Sequence, residues 1–129
     1  SYVYKKGIFT GELWFLSSIK SYEDNVSGEV LVEVELNSIK KSILKCAASG
    51  NDFAEVSAKI IKDLFNEEIE IIQVQTYSFG SPGSIKYKCN LKASFAGKIF
   101  SSSNVAGRFS ESVFNAFLDI HNQIGGCNA

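Results

Sequence analysis

Gly50-Asn51-Asp52-Phe53-Ala54-Glu55-Val56-Ser57-Ala58 closes a β-rich run and opens a helix, and Gly107-Arg108-Phe109-Ser110-Glu111-Ser112-Val113-Phe114 does the same 57 positions on. Upstream, Val30-Leu31-Val32-Glu33-Val34-Glu35-Leu36 is echoed at the same spacing by Tyr87-Lys88-Cys89-Asn90-Leu91-Lys92-Ala93. The echo is in pattern more than identity. It reads as one unit written twice, a pseudo-symmetric domain whose sites lie between its halves.

Working outward from Gly50, an Asn or Asp side chain accepts bonds from the free N–H groups of a first helical turn, so Asn51-Asp52 reads as the cap of a helix. Phe53, Val56, Ile60, Ile61, Leu64 and Phe65 recur at helical spacing, which predicts an amphipathic helix of about four turns. Before it, Leu13, Trp14, Phe15, Leu16 and Ile19 suit a strand within Glu12 to Tyr22. Val30, Val32, Val34 and Leu36 alternate with Leu31, Glu33 and Glu35, the period of a strand with one buried face. Asn37-Ser38 reads as a tight hairpin, and Ile39 to Ala48 as a third strand.

The second half repeats the scheme. Strands are expected at Ile69 to Tyr77, Ile85 to Phe95 and Lys98 to Asn104, with loops at Phe79–Ser84 and Ala96-Gly97. A helix is expected from about Ser110 to Ile124, striped by Val113, Phe114, Phe117, Leu118, Ile120 and Ile124. The expected fold is α+β: a duplicated β-β-β-α unit with pseudo-twofold symmetry, two antiparallel sheets and two helices. One helix cannot close a core over its own sheet, so the halves must pack together. The divisions are a linker or lead segment at 1–11, a domain at 12–124 (units 12–66 and 67–124), and a frayed tail at 125–129.

A chain of 129 residues with 45% hydrophobic and 21% charged residues is one globular module, small for a complete cofactor-dependent enzyme. A net charge of −1 and a single arginine, Arg108, argue against nucleic acid, whose binding rests on basic side chains displacing counterions. Lys86, Lys88, Lys92 and Lys98 with Tyr87 could face RNA, but an exposed strand face accounts for them better. No stretch approaches the ~20 apolar residues of a membrane span. No signal peptide opens the chain, and Tyr4-Lys5-Lys6-Gly7 after a start without Met reads as a cut within a longer polypeptide. Three dispersed cysteines without CxxC spacing favour reduced thiols and a cytoplasmic setting.

Catalytic chemistry is hard to build from these residues. His121 is the single histidine, and no nucleophile motif accompanies it, so a packed or surface helix residue is the better reading than a general base. Glu67, Glu68 and Glu70 read as a solvated helix-to-strand junction. No ligand set for a metal and no phosphate-binding loop is expected, and no cofactor. What remains is geometric: two helix N-termini whose free N–H groups favour a small anion, with Phe53, Tyr77 and Phe109 nearby.

Gly97 to Gly107, together with Asn115-Ala116-Phe117-Leu118-Asp119-Ile120-His121-Asn122-Gln123-Ile124, resembles the end of the C-terminal regulatory domain of the 2-isopropylmalate synthase and citramalate synthase family. Ser49-Gly50-Asn51-Asp52-Phe53 resembles that domain's Gly-Asn-Gly-Pro helix start, and Val74-Gln75-Thr76 its middle strand. The resemblance runs from about Leu13 to Ile124. It implies a non-catalytic homodimerising module, part of a transferase whose TIM-barrel domain precedes it. It also implies feedback inhibition by an end-product branched-chain amino acid, leucine or isoleucine, bound by Gly50, Asn51, Asp52, Phe53, Val74, Thr76, Val105, Ala106 and Gly107. The chain departs from the pattern where Asp52 and Phe53 replace Gly and Pro, and where Ala106-Gly107-Arg108-Phe109 replaces a Ser/Thr-Asp-Ile segment. A dimerisation domain with a non-functional pocket is the alternative these departures leave open, and unequal contributions from the two halves are expected.

Overall fold

The computed structural model describes residues 2–6 and 11–127. Its elements run β1 (Tyr2–Lys6), β2 (Trp14–Glu23), β3 (Val30–Ser38), β4 (Ile43–Gly50), α1 (Phe53–Phe65), β5 (Glu70–Phe79), β6 (Lys86–Phe95), β7 (Lys98–Ala106) and α2 (Phe109–Cys127). The fold is α+β, with a four-stranded antiparallel sheet in the order β1-β4-β3-β2 and a three-stranded one in the order β5-β6-β7. From β2 onward it is a β-β-β-α unit twice over.

Internal registers fix which residues of the two units correspond. β2 carries one extra residue, Ser17, between the pairs Leu16–Leu36 and Ser18–Glu35, and β5 carries Ile72 between Ile71–Ala93 and Gln73–Lys92. Both first strands therefore bulge at the same place, which makes Ile19 the counterpart of Val74 and Glu35 that of Lys92. Val30 pairs with Gly50 and Tyr87 with Ala106. The counterpart of Gly50 is thus Ala106, one position before the glycine that the sequence pattern aligns with it. The helices start in step, Phe53 with Phe109.

The two helices lie side by side and run in the same direction, because corresponding residues touch at the first and the last residue of α1. Phe53 meets Phe109 edge to face with ring centroids 5.5 Å apart, and Phe65 stacks on His121. The pseudo-twofold axis passes between them. α1 covers β3 and β4, whereas α2 covers β6 and β7 and reaches β2 as well. That cross-contact has specific bonds: Asn122 accepts from the Trp14 N–H and donates to the Trp14 carbonyl. One continuous core results, from Trp14, Ile19, Val32, Val34 and Leu36 through Ile60, Ile61 and Leu64 to Leu91, Phe114, Phe117 and Ile120.

α1 makes no comparable contact with β5. Every residue of β5 is exposed, and only Ile69, just ahead of it, enters the core. On the face of β5 that looks toward the helices, α1 holds Ala58 and Lys62 at the positions where α2 presents the buried Phe114 and Leu118. With smaller or polar side chains there, α1 borders a cleft beside β5 lined by Ala58, Lys62, Ile69 and Ile71.

Several boundaries differ from the sequence reading. Tyr2–Lys6, which reads as linker, is a strand paired with β4; the rest of the lead before Gly11 lies outside the described residues. The turn after β3 spans Ser38 to Ser42, closed by the Ser38 N–H on the Ser42 carbonyl, with Lys41 at φ 63°. Ile39 is therefore a turn residue, 72% exposed, and β4 begins at Ile43. Ala96-Gly97, both at positive φ, form the two-residue hairpin between β6 and β7. The helix α2 continues through Gly125 and Gly126 to Cys127, where the sequence suggests a frayed tail; residues 128–129 lie outside the described residues.

Candidate functional site

The start of α1 is held by its own acids. Asp52 sits in extended geometry and accepts from the Glu55 N–H at 2.8 Å, while the Glu55 carboxylate folds back to accept from the Asn51 N–H at 2.9 Å. This is a variant of the capping box, with Asp52 as the cap and the returning carboxylate on the N–H one residue ahead of it. Gly50 makes room for it: a Cβ there would lie 3.2 Å from the Glu55 carboxyl carbon and 3.1 Å from a Val56 methyl. Lys59 reaches back to the Ser49 carbonyl at 2.7 Å and pins the same turn.

The start of α2 is built otherwise. Arg108 stands where α1 has Asp52, and its guanidinium donates to the Ile19 carbonyl on β2 at 3.4 Å. Ile19 corresponds to Val74. The space between helix start and first strand is therefore bridged by Arg108 in one half, and left open at Asp52 in the other.

That open space is a cavity of about 210 Å³ lined by Asp52, Phe53, Ala54, Val74, Thr76, Phe109 and Val113. Its wall is mostly apolar, with the Asp52 carboxylate and the Thr76 hydroxyl as its polar side-chain groups. The edge-to-face pair Phe53–Phe109 stands where the helices meet, and Tyr87 backs Phe109 at 6.1 Å. A longer cleft of about 510 Å³ shares Asp52, Ala54 and Val74 and continues between α1 and β5 along Ala58, Lys62, Ile69 and Ile71. Such a site suits a small molecule with one apolar part and one or two polar groups.

Of the nine residues expected in a site, Asp52, Phe53, Val74 and Thr76 line this one cavity. Gly50 and Asn51 stand behind it, shaping the capping box, and Val105, Ala106 and Gly107 carry the chain from β7 into α2 without lining it. Ala54, Phe109 and Val113 join the lining. Phe109 follows from its correspondence to Phe53, whereas Ala54 and Val113 carry no signal beyond helical periodicity. Tyr77 is elsewhere, accepting from the Asn90 amide and lying under the Lys88 ammonium.

Of the two readings of ionisable groups at this end of the helices, that of a packed His121 stands and that of a solvated Glu67 changes. His121 is buried, bonded through Nδ1 to the Glu67 carboxylate at 2.6 Å and stacked on Phe65; Glu67, which reads as solvated, is mostly buried with it. Glu68 does face solvent and pairs with Lys62. Cys46 and Cys89 are free thiols, pushed by burial up to about 12 and about 11, too high to supply a nucleophilic thiolate near neutrality. Among the described residues no group of three His, Cys, Asp or Glu side chains could hold a metal ion, and no helix is long and apolar enough to cross a membrane.

No protein-family model matches the chain, and the curated proteins contain no match to it.

Proposed function

We propose that the chain is a regulatory module without catalysis of its own, and that it binds a small amino acid in the cleft between its helix starts and β5. More specifically, the ligand is a branched-chain amino acid, leucine or isoleucine. The module dimerises and conveys feedback inhibition to an acyl-CoA-dependent synthase of the 2-isopropylmalate or citramalate type, carried as a TIM barrel in the same polypeptide in the cytoplasm.

The observation that carries this reading is the meeting of Asp52, Phe53, Val74 and Thr76 with Phe109 around one cavity. These residues come from three segments well apart in the sequence. The aliphatic side chain packs on Phe53, Val74 and Val113. The capping box already occupies the Glu55 and Asn51 N–H groups, so the ligand carboxylate turns to the start of α2, and its ammonium to Asp52. Regulation results if the ligand prefers one of two arrangements of the cleft, since equal affinity for both shifts nothing.

Calorimetric titration with leucine, isoleucine and valine tests the reading. Heat and thermal stabilisation by leucine or isoleucine are expected; their absence at millimolar ligand sinks the effector role. The same capping box supports a second reading, a dimerisation domain whose pocket no longer binds. A gain of affinity on Asp52→Gly would favour it.

A further inference from the structure

Each sheet of an isolated chain ends in two edge strands, and three of the four edges here are visibly blunted. β2 and β5 bulge at Ser17 and Ile72, and β1 spans only Tyr2–Lys6. Bulges and short strands are how proteins keep an edge from recruiting another strand. β7 has neither. It is nine residues long, pairs with β6 in unbroken register, and carries no proline and one charge, Lys98, at its end. Its counterpart in the first unit, β4, has the equivalent edge covered by β1. Among the described residues nothing plays that part for β7.

We propose that the open edge of β7 pairs with β7 of a second copy, antiparallel and centred on Ser102. This deepens the reading of the chain as a dimer and rests on it. Phe95 and Lys98 close a two-residue hairpin and so exchange backbone bonds, which leaves the odd-numbered residues of β7 with backbone groups facing outward, and the Ser101 carbonyl there accepts from the Gln123 amide. A carbonyl oxygen has two lone pairs, so that bond and a strand pairing can coexist. Centring on Ser102 uses the whole strand. It sets Ser101 against Ser103 of the partner subunit, and Ile99 against Val105 of the partner subunit, all on the outer face.

Ile99 and Val105 are 61% and 50% exposed in the single chain, and the pairing gives each an apolar cross-strand neighbour. Because the axis repeats the contact, the same pair forms twice. Lys98 falls opposite Ala106 of the partner subunit, so no like charges oppose. Two three-stranded sheets then become one of six strands with β5 at each outer edge, where the bulge sits.

The test is the mass in solution of three proteins by light scattering. Wild type is expected at twice the 14.1 kDa of one chain. The pair Ile99→Lys with Val105→Lys sets lysine against lysine at both ends of the contact and is expected at half the wild-type mass, with an unchanged circular-dichroism spectrum since both positions are exposed. Ile99→Glu with Val105→Glu behaves likewise alone, and mixing the lysine and glutamate proteins restores the doubled mass. A wild type that stays dimeric while both charged variants also stay dimeric overturns the β7 contact and leaves the dimer standing; a monomeric wild type overturns both.

Discussion

Phe65 and His121 stack face to face, ring centroids 3.6 Å apart and 10° from parallel, at corresponding positions of two helices that share one pattern. One unit holds an aromatic hydrocarbon there and the other an imidazole, and the imidazole has a partner 54 residues away in Glu67. His121→Phe restores the symmetric pair but strands the Glu67 carboxylate in a mostly buried place. It should cost about 1–3 kcal/mol in urea unfolding. Adding Glu67→Leu to it should recover most of that loss, and a double variant as unstable as the single one would refute the account.

Truncating the other pair across the axis probes the roof of the cavity. Phe53→Ala and Phe109→Ala each remove one ring of an edge-to-face contact, and their double-mutant cycle should return a coupling of about 1 kcal/mol. Additive effects would mean that the rings are neighbours without interaction.

Asp52 has two roles that substitution can separate. Asp52→Ala removes the cap on the Glu55 N–H and should lower stability by about 1 kcal/mol, whereas Asp52→Ser keeps a capping oxygen and should lower it little. Both remove the carboxylate from the cavity, so both should weaken amino-acid binding in calorimetry. Retained affinity in Asp52→Ser would remove Asp52 from ammonium recognition.

The unfilled cleft gives a gain-of-stability test. Ala58→Phe with Lys62→Leu copies Phe114 and Leu118 onto α1, and burying these side chains against Ile69 and Ile71 should stabilise the fold by about 1–3 kcal/mol. Ligand heat should vanish at the same time. Destabilisation would show that β5 is held away by something other than missing volume.

The thiols make the fold sensitive to alkali. Burial holds Cys46 up to about 12 and Cys89 up to about 11, against about 8.5 in an unfolded chain. The unfolded state therefore loses protons first, so the thiols' contribution to stability is constant below about pH 8.5 and is lost as pH rises toward the folded values. Urea midpoints between neutrality and about pH 10 should decline in wild type and less so in Cys46→Ala with Cys89→Ala.

Much of the architecture is legible in the sequence because it rests on local pattern. Val30 to Leu36 alternates along a strand that has one buried face, and the α1 stripe of Val56, Ile60, Ile61 and Leu64 is the face that meets the core. The features that escape a sequence reading depend on distant residues. Tyr2–Lys6 has no alternation to announce a strand and becomes one through β4. Ile71, Ile72 and Val74 mark a strand in the sequence, but their exposure depends on which elements cover it, and that is set by distant parts of the chain. Glu67 reads as surface until His121 is brought to it. The glycine match slips by one because the two units turn from last strand to helix in step with Phe53 and Phe109, not with their glycines. Within the site, Asp52, Phe53, Val74, Thr76 and Phe109 can be named from the sequence, while Val113 and Ala54 need the helices to be set side by side.

The parallel course of α1 and α2 also gives the molecule an electrical polarity. Each helix carries a partial charge of about +0.5 at its first turn and about −0.5 at its last, and here the two like ends are neighbours rather than cancelling as in an antiparallel pair. Glu55 and Glu111 in the first turns offset the positive pole, and Lys62 in the last turn of α1 offsets the negative one. The cavity lies at the positive pole. Any ligand bound there would sit beside two like helix poles at once, tempered by Asp52, Glu55 and Glu111.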